Sequence, residues 1–321
     1  MIQRTLVAAF ILCFFWNTQK GSCYDSPVDS SQIYMEKASR SFKPEVQESL
    51  YRAAIRVKPD CGECYFKLGK LFLSQERYDK AISEFYFAAE YNPGLEGLHY
   101  YLGTAFEMSN DFQNALTEYK LAVHDIQDSA HTKALSHLAI GSIFDAVAIP
   151  ESAGFHFRKA IEHDSTNQVA YFNLGITYDD RGMYKEAIAC YKRAAQLDST
   201  DVDALINLGV SYCQVEEYDL AVDVFHRGLD KDPQNFKLHF NLANAYLLAR
   251  ENELARKQFE HTIKLDSSRS ESYYHLARIY EEMGDLEAAK KNYSKFVELA
   301  SPKYEITIRE VREQIQRLQQ R

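Results

Sequence analysis

The chain is short of residues that make turns. Its 321 residues include only 13 Gly and 7 Pro. An all-β sandwich or barrel would need a turn signal about every 8–12 residues, so that class is excluded. A long basic run is also missing, and 46 acidic against 37 basic side chains give a net charge of -9. Nucleic-acid binders carry a basic footprint, so no nucleic-acid partner is expected. There is no Gly-rich phosphate loop, no G-x-S-x-G and no H-E-x-x-H, the short signatures of nucleotide, acyl-transfer and zinc-protease chemistry. What is present is 46% hydrophobic and 26% charged residues, with 22 Tyr and 19 Phe, a composition able to bury a sizeable core. Length alone would allow two domains of about 150 residues each.

Residues 1–22 differ from the rest. Arg4 is followed by a mostly apolar run from Thr5 to Trp16, and polar character returns through Lys20, Gly21 and Ser22. The run is shorter than the roughly 20 apolar residues of a spanning helix, and it reads as a secretory signal peptide. No clean A-x-A marks a cleavage site. Cys23 after Gly21-Ser22 is a candidate for lipid attachment, although Lys20 stands where lipoprotein signals carry Leu; an uncleaved membrane anchor is the alternative. The expected location is extracytoplasmic: periplasmic, envelope-associated or secreted.

From residue 62 a unit returns. Leu68-Gly69, Leu102-Gly103, Ile140-Gly141, Leu174-Gly175, Leu208-Gly209, Leu242-Ala243 and Leu276-Ala277 recur every 34 residues, with one step of 38. Three residues after each small residue stands an aromatic, from Phe72 to Tyr280. Nine further on comes Ala (Ala81 to Ala289), and four after that another aromatic (Phe85 to Tyr293). Such spacing predicts two amphipathic helices per unit, an aromatic ring of one filling the gap left by Gly or Ala of the other. Turns such as Arg181-Gly182 and Gly284-Asp285 supply left-handed or capping positions. Neither pair can bury its stripe alone, so neighbours stack.

These paired large and small residues, with Pro93 and Pro233 closing units, resemble the tetratricopeptide repeat family. The resemblance implies an all-α, superhelical solenoid of helix-turn-helix repeats and a protein-binding role. Seven units cover 62–301, so one array replaces the two-domain expectation. Residues 23–61 read as a degenerate N-terminal repeat, in which Tyr51, Ala54 and Pro59 fit a second helix. Residues 302–321 read as a capping helix, through Tyr304, Ile308, Val311, Ile315 and Leu318. Four extra residues around Asp128–His131 and Pro150 in an inter-helix turn mark the third unit as the expected joint.

Little chemistry is left over. His99, His137 and His239 share the fourth position of their units with Tyr65, Tyr171 and Tyr273, so they read as packing residues. His156 and His163 lie seven apart without a completing carboxylate or Cys, and no metal or cofactor is expected. Cys61 and Cys64 open the first unit at a helix N-terminus, where a thiolate is stabilised and an exported chain could form a local disulfide. A packing reading stays open, because Ala170 and Ala204 take the place of Cys64 in later units. Cys190 and Cys213 read as separate buried thiols.

Function is therefore expected in a groove lined by first helices. Its sixth position reads Asn173, Asn207 and Asn241 in consecutive units. Carboxamides donate and accept, so such a column can pair with successive amides of an extended peptide. The repeats are similar here to the superhelix of O-GlcNAc transferase, whose Asn residues the resemblance implies are used that way; bridging between helices is the other reading. Phe172, Phe240 and Tyr274 are candidate ring anchors, with Phe66 and Tyr100 at the same place in earlier units. Lys237, Asn244 and Arg278 join Glu271, Glu281 and Glu282 in a groove of mixed charge. Phe172 and Ile176 stand where the carboxylate clamp of co-chaperone repeats would need Lys and Asn, so that clamp is not expected. The expectation is a non-enzymatic scaffold or adaptor for a protein or peptide, in cell-envelope assembly. Its rivals are a targeting subunit of a glycosyltransferase or protease encoded elsewhere, and a solenoid that self-associates through its C-terminal helix.

Overall fold

The computed structural model describes residues 30–320, and the expectations for residues 1–22 and Cys23 fall outside them. The described residues form 17 α-helices and no strand, the all-α repeat fold expected from the 34-residue period. They divide into two compact units after Glu118.

The first unit holds α1 (Ser30–Ser39), α2 (Pro44–Val57), α3 (Gly62–Ser74), α4 (Tyr78–Tyr91), α5 (Leu98–Met108) and the start of α6 (Phe112–His124). In α1 and α2, Ala38, Tyr51 and Ala54 are buried, so the degenerate segment packs as a helix pair. Cys61 and Cys64 are joined by a disulfide at the start of α3, and the Cys61 side chain accepts from the Cys64 amide. Cys64 is fully buried and Cys61 is 9% exposed, packed with Met35, Ala54 and Ile55, so a redox partner has no direct access.

The second unit holds the rest of α6, then α7 (Ala130–Ala146), α8 (Pro150–His163), α9 (Gln168–Asp179), α10 (Tyr184–Leu197), α11 (Val202–Gln214) and α12 (Tyr218–Leu229). It continues with α13 (Phe236–Leu248), α14 (Asn252–Leu265), α15 (Ser270–Glu282), α16 (Leu286–Leu299), a 3-10 turn at Pro302–Tyr304 and α17 (Glu305–Gln319). From α7 onward each helix packs on the next, and first helices also touch one another, α7 against α9 and α11 against α13. The four added residues of the third repeat are built into α7, which has 17 residues where α9 has 12. Four residues are about one helical turn, so the expected joint is taken up as extra helix, capped by Ser129. Pro150 opens α8 at its first turn, where its missing N–H leaves nothing unpaired.

Within each repeat the two helices meet at a seam of small against large. A Cβ on Gly175 would lie 2.6 Å from Tyr191 Cε1, and one on Gly209 would lie 2.4 Å from Phe225 Cε1. Both rings are 1% exposed or less. At these two seams only Gly leaves room for the ring, and the last two repeats carry nothing larger than Ala there. The turn that follows each first helix holds one left-handed residue: Glu76, Asn110, Ala148, Gly182, Glu216, Arg250 and Gly284, with φ between 56° and 83°. Two of the seven are Gly. Loops between repeats supply the caps: Asn167, Asp201 and Asn235 accept from the amides of Ala170, Ala204 and Leu238.

At the C-terminal end, Val311 and Leu318 of α17 are buried against a cluster that includes Ala289, Tyr293 and Phe296. Arg309, Glu310, Arg312, Glu313 and Arg317 face solvent. This is the amphipathic helix expected from the sequence, with its apolar side already covered. No described helix is long and apolar enough to cross a membrane.

Candidate functional site

The face of the second unit made by α9, α11, α13 and α15 carries all nine residues expected to line a groove. Asn173, Asn207, Asn241 and Asn244 are half-buried, and Lys237 and Arg278 are exposed. Among the described residues, the carboxamides of Asn173, Asn241 and Asn244 have no hydrogen-bond partner, and none is sealed from solvent. Asn207 differs: its side chain faces the Tyr191 hydroxyl of α10 and favours the ionised phenol. The column is thus two open carboxamides flanking one that faces the neighbouring helix.

The same position in the next repeat is His275, and there the column stops. His275 stacks on Phe259 with ring centroids 5.1 Å apart and planes 4° apart, and its Nδ1 is buried without a partner. Burial, with Arg278 adding to it, lowers its pKa to about 4, so it is neutral at pH 7.

The rings expected to stand open lie on neighbouring rings instead. Phe172 sits 5.9 Å from Tyr191, Phe240 5.7 Å from Phe259, and Tyr274 5.2 Å from Phe296. All three are half-buried, and Phe66 in the first unit is 7% exposed. Their outer edges still line the face, but much of each ring fills the seam of its own repeat.

Charges on the face are largely spoken for. Asp179 of α9 accepts from the Ser211 hydroxyl at 2.9 and 3.0 Å and from Tyr191 at 3.1 Å, tying three helices together. Burial nevertheless raises its pKa. Glu271 accepts from Tyr304 at 2.7 Å, Glu281 from Tyr293 at 3.0 Å, and Glu282 from Asn252 at 3.0 Å. Lys237 Nζ lies 3.9 Å from Asp203. Arg278 is an exposed cation at the register that Asn244 holds one repeat earlier. The sequence reading missed the Asp179 bridge; an acid at the twelfth position of a unit, repeated at Asp145 and Glu281, was the available signal.

The remaining candidates have structural partners. His99, His137 and His239 each meet a side chain 19 residues later, Glu118 at 2.7 Å, His156 at 2.9 Å and Gln258 at 2.9 Å, linking the two helices of a repeat. His163 stacks 5.6 Å from His137. Cys190 and Cys213 are free thiols, both raised to about 11 by burial.

Family models described as tetratricopeptide repeat match residues 48–95, 169–201, 206–269 and 270–302. The chain belongs to the tetratricopeptide repeat family. Among solved structures, the C-terminal part of a TPR repeat-containing protein from Cytophaga hutchinsonii is 18% identical with a TM-score of 0.62, covering 74% of this chain and 97% of that one. MamA is 25% identical with a TM-score of 0.49, over 52% of this chain and 97% of its own. YrrB, described as a TPR protein with an unusual peptide-binding site, is 20% identical with a TM-score of 0.49, over 57% and 92%. The first of these supports the fold; no curated protein matches the chain.

Proposed function

We propose that the second unit is a non-enzymatic scaffold that captures an extended protein segment along the face of α9, α11 and α13. The observation that carries this reading is the pair of unpaired, solvent-reachable carboxamides of Asn173 and Asn241, at the same register of repeats two apart. A half-buried polar group without a partner is tolerated where water or a ligand completes it. A carboxamide can both donate to and accept from a passing peptide unit, which fits a main-chain ligand of varied sequence. The fold by itself does not assign the role.

The compartment belongs to the same proposal: an exported protein acting in cell-envelope assembly. The signal-like residues 1–22 and the Cys61–Cys64 disulfide, of a kind that persists in oxidising compartments, both favour it. The decisive experiment is photo-crosslinking from position 173 or 241 in the native compartment, with the captured segment identified by mass. Crosslinks from both positions to one segment, lost in the Asn173→Ala and Asn241→Ala double variant at unchanged melting temperature, are the expected result. Equal capture by that variant would remove the carboxamides from the site. Fractionation with and without detergent, comparing Cys23→Ser, reads attachment and location.

A further inference from the structure

A second site lies away from that face, and it does not depend on the groove reading. Between α6, α7 and α8 of the second unit there is a cavity of about 270 Å3. Ile140 and Phe155 give it apolar walls, His137 and His156 line it, and Lys120 and Lys159 border it; no carboxylate does. Its register explains why it is unlike its counterparts. The histidine at the fourth position meets an anion in the second repeat, where His99 Nδ1 lies 2.7 Å from the Glu118 carboxylate. In the third repeat the residue 19 positions on is His156, with the two Nδ1 atoms 2.9 Å apart. Two imidazoles can share one proton, but neither brings negative charge.

The electrostatics point the same way. His137 is lowered to about 4 by burial, then by His156, His163 and Lys159; His156 is lowered to about 4 by burial and Lys120. Glu162 is the one acid acting on His137 in the opposite sense, and it is exposed and ion-paired to Lys159. His124 also lines the cavity. An apolar hollow lined by three imidazoles and bordered by two lysines, with no carboxylate in its lining and only Lys159 paired to an acid, is matched by a ligand that brings an anion.

We infer that this cavity binds a small carboxylate with an apolar tail, the tail against Ile140 and Phe155 and the carboxylate toward the imidazole pair and the two lysines. The ligand's carboxylate does there what Glu118 does beside His99. At about 270 Å3 the cavity falls just under the range of about 300–1,000 Å3 for drug-sized ligands, so a short tail fits. A medium-chain fatty acid and the C-terminus of a peptide ending in Leu share this chemistry.

The test is calorimetric titration of the full chain with octanoate, with octanol as the uncharged tail. A short peptide ending in Leu and its C-terminal amide form the second arm. The carboxylate of at least one arm should bind about tenfold or more tightly than its uncharged counterpart, and the arm that binds names the source. Affinity should rise from pH 8 to pH 6, because an anion favours protonated imidazole. His156→Glu writes the second repeat's arrangement into the third and should weaken binding at least tenfold. Lys120→Met with Lys159→Met, a surface pair that leaves the imidazoles intact, should remove the preference for charge. Absence of binding by either carboxylate at millimolar concentration overturns the proposal. So does binding unchanged in a folded His156→Glu protein, or a charge preference unchanged in the lysine variant.

Discussion

The seam inside each repeat and the face formed by the first helices lie on opposite sides of the same residues, yet they are under different constraints. At the seam, Gly209 and Phe225 approach so closely that a single methyl group on one would overlap the other. On the face, the carboxamides of Asn173 and Asn241 make no hydrogen bond, while Asn207, in the same column, faces the Tyr191 hydroxyl. A seam position has one geometric solution and repeats faithfully. A face position has several, so a run of identical residues there can hide different roles.

The largest effect should come from emptying the seam. Phe225→Ala removes a fully buried ring and should destabilise by about 3–5 kcal/mol, seen as a fall in the urea midpoint. Overfilling it should cost less: Gly209→Ala is expected to lose about 1–3 kcal/mol. Ala243 and Ala277 already stand at that place in the last two repeats, so a neutral Gly209→Ala would show that all seams open equally well and break the contrast.

Next comes pH. His275 has a folded-state pKa near 4 against an ordinary 6.5, so the unfolded chain takes up its proton first as pH falls. The neutral imidazole's contribution is therefore complete above about pH 6.5 and is lost progressively down to about pH 4. The loss should be of order 2 kcal/mol after allowance for partial exposure. His137 and His156 act in the same direction. Replacing His275 with Asn, the residue of the three preceding repeats, should flatten that part of the stability–pH curve; an unaltered slope would assign the acid loss elsewhere.

Smallest in stability and sharpest in function are the face substitutions. Asn173→Ala and Asn241→Ala should each change stability by no more than about 0.5 kcal/mol while partner capture is lost. Asn207→Ala should cost about 0.5–1.5 kcal/mol through the Tyr191 hydroxyl. If all three lower the melting temperature alike, the column is structural throughout.

This contrast also sets what the sequence could convey. The Leu-Gly pairs, the alternating aromatics and the α17 stripe each follow from close packing of helices, and they are readable without coordinates. The added residues of the third repeat were not readable as helix, because one extra turn and an extra loop have the same length in sequence. How far Phe172 and Phe240 stand open was not readable for a related reason. A ring at the fifth position can turn outward or lie on the seam aromatic, and only the distances of 5.9 and 5.7 Å decide between them. The division of Asn207 from Asn173 and Asn241 likewise depends on where Tyr191 places its hydroxyl.

The left-handed residue that ends every first helix has a consequence for how this chain can change. Gly182 and Gly284 adopt that conformation freely, whereas Glu76, Ala148, Glu216 and Arg250 hold it against the repulsion between Cβ and the backbone. That conformation costs a non-glycine residue about 1–2 kcal/mol, and glycine returns part of the gain as unfolded-chain entropy. Each replacement by Gly should therefore add about 0.5 kcal/mol. The four turns belong to different repeats, so the increments should sum with little interference. The array carries a set of tuning points that line neither proposed site, through which its stability can drift in small steps.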